Sequence, residues 1–126
     1  MQVMSMNLLI VEDSVLISGL LHDLLTDLPG MGRIDQAATL TLAMQSARRQ
    51  VPELVILDLQ LPDGNGMQII GSLKLLSPAL RIAVLTLHAD NAYRLECLTL
   101  GADWFFDKAT DIDALLGQVR QQAAQH

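Results

Sequence analysis

Five side chains carry most of the chemistry open to this chain, and each stands at or just past the end of an apolar run. Leu8-Leu9-Ile10-Val11 stops at Glu12-Asp13, Leu54-Val55-Ile56-Leu57 at Asp58, Ile82-Ala83-Val84-Leu85 at Thr86, and Trp104-Phe105-Phe106 at Asp107-Lys108. A lone carboxylate at a strand end, as at Asp58, is a metal ligand, a nucleophile or a cap. The stretch from Leu59 to Gly66 reads as loop, so a cap has nothing to serve there. A carboxylate nucleophile attacks phosphorus and forms an acyl phosphate. That reaction needs a cation against the phosphoryl oxygens and donors around the rest. Glu12 and Asp13 are neighbouring carboxylates that repel unless a cation lies between them and a partner, and hard oxygen donors on an open site suit Mg²⁺. Lys108 offers an ammonium and Thr86 a hydroxyl. Taken singly, each has a structural explanation: Asp13 or Ser14 as a helix cap, Lys108 as a solvated strand boundary, Thr86 as an ordinary strand residue. Their joint placement is what points to chemistry.

The placement follows from the elements. Short continuous apolar runs are the pattern of strands buried on both faces. Segments of helical period separate them. Ile17, Leu20, Leu21, Leu24, Leu25 and Leu28 predict a first helix, capped by Ser14 and stopped by Pro29-Gly30. A weaker strand is predicted near Arg33 to Ala37, then a helix from Thr39 to Gln50. Pro62 to Gly66 is predicted to be loop. Ile69, Ile70, Leu73 and Leu76 mark a helix ending before Pro78, and a further helix runs from Asn91 to Leu100 with Gly101 as its left-handed terminator. Ile112, Leu115, Leu116 and Val119 form a last stripe behind a Thr110 or Asp111 cap. Five βα units with right-handed crossovers make a doubly wound parallel α/β sheet, whose strand ends gather at one edge, where such sheets bind ligands. That edge brings together three carboxylates, a hydroxyl and an ammonium in one crevice.

Composition narrows the function classes. The chain has 126 residues, 51% of them hydrophobic but only 3% aromatic, so Leu, Ile, Val and Met fill one core. The net charge of −6 supplies no basic footprint for nucleic acid or an acidic membrane surface. One cysteine, Cys97, excludes an internal disulfide and reads as core. No stretch approaches the roughly 20 apolar residues of a membrane span, and no signal-peptide pattern opens the chain; a cytoplasmic location is the expectation. His22, His88 and His126 are not at metal spacing and read as surface residues. Met1, Met4 and Met6 read as a loose start, and Met31, Met44 and Met67 as packing. No repeat, linker or low-complexity segment divides the chain.

Along nearly its whole length the chain resembles a two-component response-regulator receiver domain. The likeness rests on Ile10-Val11-Glu12-Asp13, on Val55-Ile56-Leu57-Asp58-Leu59-Gln60-Leu61-Pro62-Asp63-Gly64-Asn65-Gly66, on Val84-Leu85-Thr86 and on Gly101-Ala102-Asp103-Trp104-Phe105-Phe106-Asp107-Lys108, in the family's order and spacing. The resemblance implies a flavodoxin-like receiver fold with strand order 2-1-3-4-5, residues 1–126 being one receiver domain with no output domain within them. It implies that Asp58 accepts a phosphoryl group from a phosphohistidine on a histidine kinase or histidine phosphotransfer protein. It implies Mg²⁺ on Glu12, Asp13, Asp58 and the backbone carbonyl of Gln60, Lys108 against the phosphoryl oxygens, and Thr86 and Phe105 as the switch pair. The implied output face comprises the fourth helix, fifth main strand and fifth helix, reading out to a downstream protein, an output domain or a phosphorylation-dependent homodimer. Such a domain catalyses only its own phosphorylation and dephosphorylation, and is no enzyme toward an external substrate.

Departures from the family pattern qualify this. Ala109 follows Lys108 where many receivers have Pro, which leans the likeness toward receivers of nitrate-regulator type and makes a cis bond there costly, about 2.5–4 kcal/mol. Leu87 beside Thr86 is bulkier than usual, and Asp107 stands where an apolar residue is common; it either weakens the field of Lys108 or faces solvent. Two other readings stay open. A phosphatase using an aspartyl phosphate, of the haloacid-dehalogenase type, wants a second acid where Gln60 stands. A pseudo-receiver would serve as an interaction module without phosphorylation.

Overall fold

Strands that are apolar on both faces need cover on both faces, and they receive it. The computed structural model describes residues 5–126, so the expectation for Met1 and Met4 lies outside the described residues. Strand β1 (Met6–Val11) is flanked by β2 (Met31–Ala37) and β3 (Leu54–Leu57), followed outward by β6 (Arg81–Thr86) and β7 (Trp104–Asp107). All four pairings are parallel, in the order β2-β1-β3-β6-β7. For the five main strands this is the expected 2-1-3-4-5. The numbers jump because two short strands, β4 (Gln60–Leu61) and β5 (Gly64–Asn65), intervene.

The period-two alternation of the strands divides the core. Leu9, Val11, Val55, Leu57, Val84 and Phe105 face one layer, covered by α2 (Leu40–Arg49), α3 (Met67–Leu76) and α4 (Asn91–Leu100). Leu8, Ile10, Leu54, Ile56 and Leu85 face the other, covered by α1 (Val15–Leu25) and α5 (Ile112–Ala123). Cys97 is fully buried in the first layer, where burial and the nearby Glu96 push its thiol up to about 11. Ser14 caps α1 through a bond from the Ile17 amide, and Thr39 caps α2 through one from Leu42. Gly101 ends α4 at φ +120°, a region L side chains rarely enter.

Five expectations change. Met6 is not a loose start: it opens β1 and is 1% exposed, because pairing with Met31 carries the strand further than its Leu-rich core. The second strand begins at Met31 rather than near Arg33. The predicted loop at Pro62 to Gly66 contains a strand: Gln60 pairs with Asn65 and Leu61 with Gly64, leaving Pro62-Asp63 as a tight turn. The leucine stripe of α1 is only partly core. Leu21 and Leu25 are buried, whereas Leu20 and Leu24 join Val15 and Leu16 in solvent. Asp111 also differs: it stands at the start of α5 without capping it, because its carboxylate accepts from the Asp107 amide instead.

Candidate functional site

Backbone bonds running past the strand ends set the site. The Glu12 amide donates to Ala37 O, the Asp58 amide to Val11 O and the Lys108 amide to Thr86 O, at 2.9–3.0 Å. Each site residue is thus locked one step beyond a buried strand, with its side chain at the carboxyl edge. There Lys108 Nζ donates to Glu12 Oε1 (2.5 Å) and to Asp58 Oδ2 (3.0 Å). Glu12 and Asp58 are 5% and 6% exposed. The Ser14 amide gives Glu12 a further bond at 3.1 Å.

Asp13 is exposed beside them, and oxygens of Glu12, Asp13 and Asp58 lie within 4.8 Å of one another. One ammonium answers two of the three carboxylates, and the surplus faces an open cavity of about 630 Å³ whose rim includes Ser14, Gln60, Asn65 and Leu87. Burial raises the Glu12 carboxyl above its ordinary value, and the Asp58 charge adds to that; Lys108 and the Ser14 amide oppose it without winning. Burial works against the Lys108 ammonium too, but its bonds to Glu12 and Asp58 outweigh burial and hold it above its ordinary value. Lys108 therefore stays charged.

The β4–β5 hairpin forms the far wall. Its root is held by the Gly66 amide on Leu59 O (2.7 Å) and by Asn65 Oδ1, which accepts from the Met67 amide (2.9 Å) and so starts α3. Gly66 has no substitute: a Cβ there would run into the Asp58 carbonyl. Gln60 is exposed on this wall, and its amide reaches Asp58 Oδ1 at 3.4 Å.

Not every expected member reaches the crevice. Thr86 is fully buried behind it, with Oγ1 accepting from the His88 amide (3.1 Å), and Leu87 rather than Thr86 lines the cavity. The expected crevice position of the hydroxyl is thus not an exposed one: Thr86, the last residue of β6, has no exposed surface and does not line the cavity. Phe105 is already inside, 6% exposed, with the Arg94 guanidinium 6.0 Å from its ring centre and Arg94 Nη1 on Phe105 O at 3.4 Å. Asp107 is not among the ion-pair partners of Lys108; its Oδ1 accepts from the Ala109 amide. The Lys108–Ala109 bond, like every described peptide bond, is trans. Two participants escaped the sequence reading. Arg94 carries no local motif, and Asp63 looked like a turn residue, yet its carboxylate accepts from Leu40 and Thr41 across the fold.

The sheet order, the acid–lysine edge and the motif positions all match one family, and the model of the response regulator receiver domain aligns with residues 8–120. The chain belongs to the response-regulator receiver family. The KDP operon transcriptional regulatory protein KdpE of Escherichia coli is 36% identical over 121 residues, covering 95% of this chain and 52% of the relative. A protein-glutamate methylesterase/protein-glutamine glutaminase of Treponema denticola is 31% identical over 102 residues, 79% of this chain and 27% of that protein. The chain thus spans about half or less of these relatives, whose names denote different activities. A crystal structure of a Burkholderia pseudomallei response regulator, with a phosphorylated aspartic acid, calcium ion and citrate, superposes with a TM-score of 0.83 at 27% identity, over 96% of this chain and 70% of that one. A CheY-like receiver protein of Methanospirillum hungatei shares the fold, with a TM-score of 0.85 at 22% identity over 96% and 95% of the two chains. As a receiver domain, the protein is a phosphorylation-dependent switch of two-component signalling. Receivers bind a divalent metal at an acidic pocket, and the Glu12–Asp13–Asp58 cluster is a pocket of hard oxygen donors that fits one. Among the described residues no helix is long and apolar enough to cross a membrane.

Proposed function

We propose that Asp58 is the phosphoryl acceptor, taking the group from a phosphohistidine of a cytoplasmic histidine kinase or phosphotransfer protein. The observation that carries this is the surplus charge: a buried carboxylate at the floor of an open crevice, sharing its one ammonium with Glu12. An Asp58 carboxylate oxygen forms the new bond to phosphorus as the N–P bond breaks, and the electron pair of that bond leaves on the imidazole. Glu12, Asp13, Asp58 and the Gln60 carbonyl would hold Mg²⁺, which when bound neutralises phosphoryl charge. Lys108 lies between Glu12 and Asp58 and turns from carboxylate to phosphoryl oxygens as they arrive. Thr86 already uses a lone pair on the His88 amide, so its proton is free for a phosphoryl oxygen. That pull is transmitted to Phe105 and Arg94 across the β6–β7 ladder, where Val84 is paired with Phe105 and Thr86 with Asp107.

The aspartyl phosphate adds about −1.5 to −2 charge, which re-weights two packings of the α4–β7–α5 face for a downstream protein, an output domain or a second copy of the chain. Residues 1–126 act in this as one receiver module, switching partners and not turning over an external substrate. Incubation with Mg²⁺ and phosphoramidate should add one base-labile phosphate, lost in Asp58→Asn. Equal labelling of that variant overturns the assignment. Thr86→Ala should label normally and respond weakly; Lys108→Ala should alter the labelling kinetics and lose output.

A further inference from the structure

The hairpin that carries Gln60 is fastened at its tip as well as its root. The Asp63 carboxylate accepts from the Leu40 amide at 2.8 Å through Oδ1, and from the Thr41 amide and hydroxyl, both at 3.1 Å, through Oδ2. The Leu40 and Thr41 amides hold the Asp63 carboxyl below its ordinary value, keeping it a charged acceptor. These three bonds close a ring of contacts that links the hairpin to the Glu12 strand end. From Asp63 the ring runs into the first turn of α2, back through Thr39 and Ala38 to Ala37, and across the Ala37 carbonyl to the Glu12 amide (3.0 Å). It returns through Val11 O and the Asp58 amide (3.0 Å) to Gln60. The Glu12–Asp13 side and the Gln60 side are also joined through the strand ends beneath them and through Lys108, which bonds both Glu12 and Asp58. Pro62, with its fixed φ, stiffens the arm between Gln60 and Asp63.

We infer that Asp63 is a positioning residue that sets the width of this pocket, and with it the preference for Mg²⁺ over Ca²⁺. Mg²⁺ demands near-octahedral oxygens at about 2.0–2.1 Å, whereas Ca²⁺ accepts about 2.3–2.6 Å in flexible arrangements, so rigidity and width decide between them. Releasing the hairpin tip lets the Gln60 wall move outward, which penalises the smaller ion more. The inference rests on the reading of Glu12, Asp13, Asp58 and Gln60 as the metal shell. Asp63 takes the Leu40 and Thr41 amides and Thr39 caps α2 through the Leu42 amide alone, so the test has to separate loss of a helix cap from loss of positioning.

That second cap supplies the control. Mg²⁺ and Ca²⁺ binding are measured by titration calorimetry on wild type, Asp63→Ala, Asp63→Asn and Thr39→Ala, with melting temperatures recorded without metal. Asp63→Ala should weaken Mg²⁺ about tenfold, the low end of what losing an outer partner of a metal site costs, and Ca²⁺ by clearly less, so the selectivity ratio falls. Asp63→Asn, which keeps an acceptor oxygen, should lie between and carries the comparison if Asp63→Ala does not fold. Thr39→Ala should lower the melting temperature and leave the ratio alone. An unchanged ratio in the Asp63 variants, or an equal change in Thr39→Ala, overturns the inference while the metal shell stands. Failure of wild type to bind either ion overturns the metal shell itself, and the inference with it.

Discussion

Two charged clusters sit at opposite ends of the same sheet and differ in how their charge is balanced. At the amino ends of β6 and β7, Asp103 Oδ2 accepts from Lys74 Nζ and the Ile82 amide, both at 2.8 Å, and Oδ1 from Arg81 Nη1 at 3.0 Å. Lys74 uses a further proton on Leu80 O. Two cations answer one carboxylate there. At the carboxyl ends one ammonium answers Glu12 and Asp58, and Asp13 has no ion-pair partner among the described residues. Burial pushes both Asp103 and Glu12 up. At Asp103 the Lys74, Ile82 and Arg81 donors overcome it and leave the carboxyl low; at Glu12 burial prevails. A closed cluster of this kind ties α3 to two strands and has nothing left to bind. An open one stores negative charge that a cation or a phosphoryl group can redistribute, and it faces the cavity.

The largest effect should come from breaking the closed cluster. Asp103→Ala leaves Lys74, Arg81 and the Ile82 amide unanswered and should cost about 3 kcal/mol, the low end for removing one partner of a buried pair because the edge is part-wet. Thermal melting should show a drop of roughly 10 °C, with the Mg²⁺ response intact; a lost response would mean that the two ends are not separate devices.

At the open cluster the sign reverses. Asp13→Asn relieves repulsion, so without metal it should be neutral or more stable by about 0.5 kcal/mol. Mg²⁺ at ten times its Kd should stabilise wild type by about 1.4 kcal/mol and the variant by little. Equal Mg²⁺ shifts in the two proteins would remove Asp13 from the pocket.

Proton linkage separates the clusters by pH. The Asp103 carboxyl is depressed in the fold, so its contribution is present above its ordinary 3.8 and is lost as pH falls through the lower folded value. The Lys108 ammonium is raised, so its contribution is present below its ordinary 10.5 and is lost as pH rises through the higher folded value. Denaturation at a series of pH values should therefore show Asp103→Asn flattening the acid limb and Lys108→Met the alkaline one. Both variants flattening the same limb would contradict the separation.

The smallest effect concerns the two faces of β7. Trp104 lies half-buried in the α1–α5 layer, whereas Phe105 lies in the α2–α3–α4 layer with Tyr93 nearby in the same cluster. Trp104 emission should therefore change little when beryllofluoride and Mg²⁺ are added, and a tryptophan placed at Tyr93 in a Trp104→Phe background should change more. A larger response from Trp104 would show that repacking crosses the sheet.

Legibility in the sequence tracked the range of the interaction. Buried parallel strands announce themselves as unbroken apolar runs, because no face needs to be polar; β1, β3 and β6 and the residues closing them were readable for that reason. The edge strand β2 carries Arg33, Asp35 and Gln36, and was correspondingly faint. The β4–β5 hairpin looks like loop in the sequence because two-residue strands leave no periodicity. Met6 was misplaced because its burial comes from pairing with β2, not from its neighbours in sequence.

By itself, then, the sequence determined the fold class, the strand ends and the set of titratable groups at one edge, since these depend on local apolar pattern and residue type. Tertiary structure alone decided how those groups share charge. Lys108 is 96 residues from Glu12 and 50 from Asp58, and no local pattern says that it bridges both. Nor does any say that Thr86 is fully buried while Leu87 lines the cavity, or that Asp63 reaches the start of α2. Such contacts are set by register across the sheet and by packing of helices over it, where one residue of shift exchanges a crevice position for a core one.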